Sequence, residues 1–464
     1  MYRTSLLAVL VACAGEPDPT HTKPPTPTPT PTLELPSETE ALESAGFTVQ
    51  SGGFLFATME GCCDPDANCR GNNVSTPYGM HAVPPAPNYY VEQHGIVDDF
   101  GDPEPGTMTE FRLREDEALV LLGETPPPAS YFGFRSYLGQ REGEDIVASL
   151  GASLNHLVIG AQRGTDDIWK QPLAIVTTAD ASVEQSVTEA LVASGWDPAY
   201  IHNDRITHEV TRMGLNQLGD SFFTVLRVAE YADPAAGAAW QANHGLRVLR
   251  LTPEVEQAVW EPHPWPELPE RGTGTNEDAW LASLDALDTA IRETHAGVEP
   301  LATEALPYWR ETLECIDDVF RCTGDLRDRF IASSPQFALG PDDFIVVFGV
   351  NHARTGKSNY SSFAVQTIAN QRGVAAITSA SMPGSTAAWL PDDPLTDDLY
   401  AWTIARDCAP HDPDRCLEVP TTCPGAPTDE QLKVVFRAYL ESETGAAPAA
   451  EEVQWDRLLL YRGI

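Results

Sequence analysis

The sequence is short of positive charge. Lys and Arg together number 29, against 68 Asp and Glu, which gives a formal net charge of −39 at pH 7. Such a surface repels nucleic acid and anionic lipid, so DNA, RNA and peripheral membrane sites are poor candidate partners. A solvated acidic surface accounts for much of this excess. The lysines are Lys23, Lys170, Lys357 and Lys433.

Common motifs of covalent catalysis are also missing. The chain has no Gly-x-Ser-x-Gly, no Ser-x-x-Lys and no papain-like cysteine signature. Because folding can assemble catalytic groups from distant positions, this absence makes an enzyme less expected without excluding one. The sequence therefore identifies no reaction.

The N-terminus reads MYRTSLLAVLVACAGEPDPT. Its apolar run, residues 6–12, follows Arg3 and is far shorter than the roughly 20 residues that span a membrane, so it predicts an export signal. The run ends in Leu10-Val11-Ala12-Cys13, which resembles the lipobox of bacterial lipoproteins. That resemblance implies cleavage after residue 12, acylation with palmitate at Cys13, and an outer-membrane location facing the periplasm or the cell surface. An ordinary cleaved signal with an unrelated cysteine is the alternative.

A Pro/Thr-rich stretch follows, so residues 13–36 are expected to form an extended, lipid-anchored linker. Of the 9 cysteines, those after Cys13 fall into three clusters. An exported chain favours disulfides over a zinc site. Cys315 and Cys322 are expected to pair locally. If all of the others are oxidised, at least one bridge must join the outer clusters, which are Cys62, Cys63, Cys69 and Cys408, Cys416, Cys423.

The folded part contains a candidate internal repeat. Residues 116–139 align with 342–365, and 172–180 align with 399–407. Further matches pair 182–185 with 428–431 and 204–206 with 456–458. Short apolar runs and capped helix starts then predict an α+β fold with two copies of a strand-loop-strand-strand-helix-strand unit. The copies span 105–215 and 335–464, the second with a Cys-rich insertion at 408–426.

Two further regions surround the first copy. Residues 37–104 are rich in Gly, Pro and Cys, and predict an irregular, disulfide-tied cap. Residues 216–334 predict a strand-helix-strand segment followed by a helical connector. The spacing of Trp280, Leu284, Leu287 and Ile291 favours a helix packed on one face.

The stretch FGVNHARTGKSNYSSF, residues 348–363, superficially resembles a phosphate-binding loop. A Walker A loop requires Gly-x4-Gly-Lys-Ser/Thr, but Asn351 occupies the first glycine position and a strand follows instead of a helix. An exported protein also has no ATP supply, so nucleotide is not an expected partner. In the first copy the equivalent loop is ETPPPAS, without a cation or an imidazole.

The polar loop is therefore the candidate ligand site, although it is also compatible with a simple turn. Lys357 beside His352 would suit a carboxylate or phosphate. The predicted ligand-binding residues are Asn351, His352, Arg354, Lys357, Ser358 and Tyr360.

Metal sites are weaker hypotheses. HNDRITHE, residues 202–209, lacks the His-Glu-x-x-His spacing of a zinc protease. No cofactor is expected other than calcium, for which Asp64, Asp66 and Asn68 have an alternating spacing without the rest of an EF-hand. An Asp/Pro turn explains these residues equally well.

The sequence favours a surface-anchored lipoprotein that binds a small anionic or polar ligand or has a structural role in the envelope. One alternative is an exported hydrolase with His352 as acid/base and Lys357 as anion clamp. It requires His352 within hydrogen-bond reach of a carboxylate or hydroxyl. Another is a calcium-stabilised adhesion or envelope protein. Membrane contact is expected through the lipid anchor only.

Overall fold

The computed structural model describes residues 36–57, 63, 71–87, 105–257, 261–295, 301–304, 306–307, 312–319, 321–322, 324 and 326–463. These residues belong to the unit Pro36–Ile464. Cys13, the predicted signal peptide, nearly all of the linker, Cys62, Cys69 and the calcium candidates Asp64, Asp66 and Asn68 lie outside them.

The first half is built on one curled sheet. Its strands are β1 (Phe47–Phe56), β2 (Tyr78–Ala82), β3 (Ala118–Glu124), β4 (Ala129–Arg141), β5 (Glu144–Ser149), β6 (Leu154–Asn155), β7 (Pro172–Thr178), β8 (Ile201–Arg205), β9 (Phe222–Tyr231) and β10 (Arg247–Pro253). Its helices are α1 (Glu38–Ser44), α2 (His156–Arg163), α3 (Ala181–Ala193) and α4 (Pro234–Ala242). The strand order is β5-β4-β9-β2-β1-β10-β3-β7-β8, with β6 paired to β4.

The length of β1 explains the curl. Residues 47–52 pair with β10, whereas residues 53–56 pair with β2, so this central strand connects the two parts of the sheet. Apolar side chains of β3 and β7 meet those of β4 and β9 in a shared core, where Leu121, Ile175, Phe134 and Leu226 are buried. Burial of this apolar surface holds the two ends of the sheet face to face.

The second half contains two sheets and two helices among its described residues. The helices are α5 (Leu281–Thr294) and α6 (Thr312–Asp318). The strands are β11 (Leu301–Glu304), β12 (Leu306–Pro307), β13 (Arg329–Ser333), β14 (Phe337–Ala338), β15 (Phe344–Val350), β16 (Tyr360–Thr367), β17 (Gly373–Thr378), β18 (Leu399–Ala405), β19 (Cys416–Glu418), β20 (Gln431–Tyr439) and β21 (Arg457–Tyr461). One sheet has the order β11-β21-β15-β18-β19 and the other β12-β13-β20-β16-β17, with β14 paired to β20.

The two halves share one arrangement of strands. Two series of neighbouring strands in the first half, β5-β4-β9-β2 and β1-β10-β3-β7-β8, have counterparts in the second half, β17-β16-β20-β13 and β11-β21-β15-β18-β19. Each strand has the same place in its series as its counterpart, and the counterparts follow one another along the chain in the same order. The parallel pairs β7/β8 and β18/β19 stand at the same end of both series. Helices α1 and α5 precede the corresponding strands β1 and β11.

These positions correct part of the predicted repeat. Asp204 and Arg205 lie in the edge strand β8, whereas Asp456 and Arg457 lie at the start of β21, between β11 and β15. Residues 182–185 lie in α3, but residues 428–431 lead into β20. The helix predicted for the second copy is also missing from 406–430, where prolines and the Cys408–Cys416 bridge leave a 3₁₀ turn at Pro413–Arg415. Short sequence identities were a poor guide to which strands of the two halves correspond.

The predicted irregular cap is wrong for the described part of 37–104. Helix α1 begins with a capping box, in which Ser37 and Glu40 bond reciprocally, and strands β1 and β2 lie in the middle of the sheet. The Gly, Pro and Cys content concealed these elements, because it concentrates in the connections. The predicted helix at Leu284, Leu287 and Ile291 is confirmed as α5, with all three side chains buried.

Disulfide bonds are present, as expected from the cysteine content. Cys315 is bonded to Cys322, and Cys408 to Cys416. Cys63 is bonded to Cys423, so one bridge connects the first cluster with the third. Among the described residues, no helix has the length and hydropathy needed to cross a membrane.

Burial on both faces characterises the central strands. In β15, Ile345 and Val347 face the core between the two sheets of the second half, whereas Val346 and Phe348 pack with α5. This double burial accounts for the continuous apolar run FIVVFGV. A separate cluster, which includes Tyr131 and Phe223 of the first half and Tyr360 and Tyr439 of the second, packs the halves together.

Candidate functional site

The loop after β15 is held in one conformation by its own hydrogen bonds. The amides of Arg354 and Thr355 donate to the carbonyl of Asn351, and the amide of Ser358 donates to the carbonyl of His352. Gly356 has a φ of 83°, in the left-handed region that glycine tolerates best. The loop therefore presents His352 on a folded turn.

His352 is paired with a carboxylate from a distant part of the chain. Its Nδ1 lies 2.9 Å from Oε1 and 3.0 Å from Oε2 of Glu277, which precedes α5. Glu277 also accepts hydrogen bonds from the Thr355 hydroxyl and from the backbone amide of Gln454. These bonds fix the carboxylate, which in turn fixes the orientation of the imidazole ring.

The electrostatics of this pair favour a charged imidazole. Burial opposes protonation, but the charge and hydrogen bond of Glu277 outweigh it and raise the pKa of His352 to about 9. Burial likewise opposes ionisation of Glu277, yet His352 and the other donors lower the pKa of that carboxyl. At neutral pH the pair is therefore an imidazolium and a carboxylate.

A second carboxyl group faces the imidazole. Asp456 is buried and accepts a hydrogen bond of 2.5 Å from the Tyr400 hydroxyl. Burial raises the pKa of Asp456 to about 6, although the positive charge of His352 acts in the opposite direction. Gly349 makes room for this group, because a Cβ at that position would overlap Asp456 Oδ1.

These groups line a small pocket between the sheets of the second half. A water-sized sphere can occupy only about 10 Å³ of it. That is roughly the space that one ordered water requires, so a larger ligand enters only when the lining side chains move apart. The lining includes His352, Ser361, Tyr400, Phe436, Arg437 and Asp456. The hydroxyl of Ser361 is buried and has no hydrogen-bond partner among the described residues.

The other predicted ligand residues are not gathered at this pocket. Asn351 donates to the carbonyl of Ser379, and Arg354 lies on the exposed side, 3.5 Å from Asp398. Tyr360 is buried against the first half, where its hydroxyl bonds with Ser75 and Asn73. Ser358 is buried, and its hydroxyl has no partner among the described residues. Of the predicted set, His352 is the residue that faces the pocket.

Lys357 does not fit the predicted role of anion clamp. Its ammonium group donates to Glu441 at 2.6 Å, to Glu452 at 2.7 Å and to the Thr273 hydroxyl at 3.0 Å. An ammonium group has three donors, so all of them are occupied. One lysine beside two carboxylates also leaves a local excess of negative charge, which disfavours an anionic ligand.

Sequence reasoning missed Glu277, Tyr400 and Asp456. Glu277 is 75 residues from His352, and nothing local marks it as a partner. The predicted repeat aligns Asp456 with Asp204, and that alignment hid its separate position. The one usable signal was Gly349, a glycine inside an apolar strand, which indicates close approach of another group.

The histidine-rich stretch 202–209 has a structural role. His202 is buried and bonds with Gln162 and Arg163, while Asp204 forms a buried ion pair with Arg135 at 2.7 Å. Within the part of the chain that the structure describes, no group of three or more His, Cys, Asp and Glu side chains is placed to hold a metal ion.

Comparisons with known proteins add no family. No family model and no curated protein matches the chain. An uncharacterised protein from Burkholderia cenocepacia is 10% identical, with a TM-score of 0.38, over 91% of this chain and 86% of its own. The VPA0106 protein from Vibrio parahaemolyticus is 11% identical, with a TM-score of 0.37, over 76% of this chain and 87% of its own. Likeness at this level carries no argument about function.

Proposed function

We propose that the protein is an extracytoplasmic lipoprotein that binds a small polar ligand in the pocket at His352. The observation that carries this proposal is the buried imidazole of His352, which Glu277 holds at Nδ1 and which lines a pocket with Asp456. A fixed, charged donor opposite a carboxyl group is an arrangement that recognises polar molecules.

The charges define the ligand class. The imidazolium donates to a carbonyl, hydroxyl or carboxylate oxygen. Asp456, with a pKa of about 6, accepts from a hydroxyl or amine when ionised and donates when protonated. A small molecule that carries both an acceptor and a donor, such as a hydroxy acid, a polyol or an amino acid, suits both groups and enters when the lining side chains move apart.

The experiment is a thermal-shift screen of small hydroxy acids, polyols and amino acids, followed by calorimetric titration of each compound that stabilises the protein. His352→Gln is expected to weaken binding by at least tenfold, because it removes the charged donor. His411→Gln is the matched control, since His411 packs on Phe344 and is not among the pocket residues. Equal binding by the wild type and His352→Gln would remove the pocket from consideration.

The lipid anchor rests on the sequence Leu10-Val11-Ala12-Cys13 and on the Pro/Thr-rich linker that follows. Labelled palmitate is expected to enter the wild type, and the protein is expected to fractionate with membranes. Cys13→Ser should abolish both properties while leaving the folded part intact. Membrane fractionation without label, or label retained in Cys13→Ser, would contradict the anchor.

An exported hydrolase is the second candidate, favoured by the Glu277–His352 pair facing Asp456 and Tyr400. In that case His352 is protonated near neutrality and acts as general acid, while ionised Asp456 is the candidate base. Lys357 has no part in this mechanism. Turnover of an ester, amide or phosphate substrate would support the hydrolase, provided that Asp456→Asn abolishes the turnover and His411→Gln preserves it. Ligand binding without turnover would leave the binding function alone.

We also infer that the two halves descend from one duplicated unit, larger than the copies predicted from sequence. The matching strand order supports this, together with the helix that precedes each series. To test the inference, the two halves are superposed on the other strand pairs only, and the positions of β1 against β11 and of β2 against β13 are then compared. If those pairs do not overlay, the common origin of the two halves is rejected. The loop at this position carries an imidazole in the second half, whereas the equivalent first-half loop reads ETPPPAS.

A further inference from the structure

A second buried polar cluster lies between the two halves. It contains Arg227 of β9 and Arg437 of β20, surrounded by Tyr78, Tyr137, Tyr360 and Tyr439. In β20, Phe436 and Ala438 belong to the core of the second half, whereas Tyr439 belongs to the layer between the halves. Since side chains alternate along a strand, the Arg437 side chain faces that layer too.

Both guanidinium groups have neutral hydrogen-bond partners. Arg227 donates to the Tyr137 hydroxyl at 2.9 Å, and its guanidinium lies over the rings of Tyr78 and Tyr137. Arg437 donates to the backbone carbonyl of Gly71 at 3.2 Å. The exposed fractions of the two arginines are 6% and 2%. Two positive charges are therefore withdrawn from water without a bonded carboxylate.

Several donors in the cluster have no partner among the described residues. They are Nε and Nη1 of Arg437, Nε of Arg227 and the hydroxyl of Tyr439. A buried donor without an acceptor is costly, and a buried charge without a partner is more so. Burial lowers the pKa of Arg437, and the neighbouring charge of Arg329 adds to that effect.

Asp328 is the carboxyl group within electrostatic range of Arg227. Its Oδ2 accepts hydrogen bonds from Tyr131 and Asn155, so it is already held on one side. Burial raises the pKa of Asp328 to about 6, so the carboxyl group is mostly ionised at pH 7 and becomes protonated below pH 6. It compensates one guanidinium at most.

We propose that the layer between the halves holds a small anion, bound by Arg437 and Arg227 with the Tyr439 hydroxyl as a further donor. The unused donors of a guanidinium match two oxygens of a carboxylate, a sulfate or a phosphate. In a chain with a net charge of −39, this interior cluster concentrates positive charge where the surface does not. The anion would join the two halves, and its site adjoins the His352 pocket, because Arg437 also lines that pocket.

The test begins with protein unfolded in urea, without reductant, and refolded in chloride buffer so that a bound anion is released. Melting temperatures are then measured in sulfate, phosphate and acetate at constant ionic strength, with chloride as the reference. At least one oxyanion is expected to raise the melting temperature by several degrees in a saturable manner, because it binds the folded state only. The three salts distinguish carboxylate from tetrahedral anions.

Arg437→Gln is expected to remove this stabilisation. Arg354→Gln is the matched control and should retain it, since Arg354 lies on an exposed loop outside the cluster. If Arg437→Gln fails to fold, Tyr439→Phe takes its place, because it removes the unpaired hydroxyl and keeps the ring; at least a threefold weaker response is expected. A wild type that responds to ionic strength alone, or an Arg437→Gln variant with the full anion response, would overturn the proposal.

A crystal grown in selenate gives a direct readout. We expect an anomalous peak from selenate within hydrogen-bond distance of Arg437. If sulfate has raised the melting temperature, ordered water alone at that position would also overturn the proposal. Failure here is distinguishable from failure of the His352 pocket, because the ligand screen there uses a different variant, His352→Gln, although Arg437 lines that pocket too.

Discussion

The imidazole of His352 couples folding to pH, because Glu277 raises its pKa in the folded state to about 9 from an ordinary value of 6.5. The stabilisation is therefore complete below pH 6.5 and is lost as the pH rises towards 9. The difference corresponds to roughly 3 kcal/mol of unfolding free energy. Urea unfolding at pH 6, 7.5 and 9 is expected to show this loss in the wild type and not in His352→Gln.

A histidine with the opposite shift provides the control. Burial lowers the pKa of His156 to about 4, so its contribution changes below pH 6.5 rather than above it. His156→Gln should keep the slope between pH 6.5 and 9. If His352→Gln also keeps that slope, the pairing with Glu277 does not control the titration.

Lys357 is expected to act on stability rather than on ligand affinity. Lys357→Met leaves Glu441 and Glu452 without their shared cation, and removal of one member of a buried ion pair typically costs about 3–5 kcal/mol. Calorimetric and urea-unfolding measurements should show this loss in Lys357→Met and a change below about 0.5 kcal/mol in Arg354→Met.

Neutralisation of Glu441 and Glu452 tests whether unpaired charge causes the loss of stability in Lys357→Met. Lys357→Met combined with Glu441→Gln and Glu452→Gln should recover part of the lost stability, since no unpaired charge then remains. An unaltered loss in the triple variant would assign the effect to packing of the lysine stem. Loss of ligand binding with normal stability in Lys357→Met would restore the anion-clamp role.

The residues of the site differ in how far the sequence could predict them. Comparison of the two loops picked out His352, because the equivalent first-half loop has no ionisable cation or imidazole. The same comparison favoured Lys357, but the identity of its partners depended on Glu441 and Glu452, which lie 84 and 95 residues away. Composition alone suggests that Lys357 is an available cation in an acidic chain, whereas the fold surrounds it with carboxylates.

At the scale of secondary structure, β15 connects the core to the site. Its Gly349 lies against Asp456, so Gly349→Ala is expected to displace that carboxyl group and weaken its bond with Tyr400. The expected cost is roughly 1–3 kcal/mol, as for other overpacked core positions, together with reduced ligand affinity. Urea unfolding and calorimetric titration of the variant measure the two effects.

A double-mutant cycle separates this contact from strand propensity. In an Asp456→Ala background the added methyl group has room, so Gly349→Ala should cost much less there than in the wild type. Equal costs in both backgrounds would show that the glycine serves the strand itself and does not accommodate Asp456.

Strands and helices with strong local patterns were predictable. The α+β class is confirmed, as is α5, because the apolar spacing of Leu284, Leu287 and Ile291 follows from packing on one face. The pairing of strands was not predictable. Strand β1 pairs with β10, about 200 residues later in the chain, and such contacts leave no local trace.

At the scale of the whole molecule, the halves form successive layers. Helices α1 and α3 cover one face of the first sheet, α5 covers the outer face of the second half, and a mixed apolar and polar layer joins the halves between them. The bridge from Cys63 to Cys423 adds a covalent connection between the halves, with a sequence separation of 360 residues.

This bridge is expected to contribute more stability than the local ones. In the chain-entropy account, a crosslink stabilises by restricting the unfolded chain, which gives about 6 kcal/mol for a loop of 360 residues and about 2.5 kcal/mol for one of 8. The double variant Cys63→Ser with Cys423→Ser should therefore melt well below Cys408→Ser with Cys416→Ser. Scanning calorimetry without reductant measures both.

The matched comparison also distinguishes loop closure from local strain. Both double variants remove one bridge and add two hydroxyl groups, so their difference reflects mainly the length of chain that each bridge closes. Equal melting temperatures would mean that the unfolded state already keeps the two ends of the chain close together. In that case the layer between the halves, rather than the disulfide, would be the main connection of the molecule.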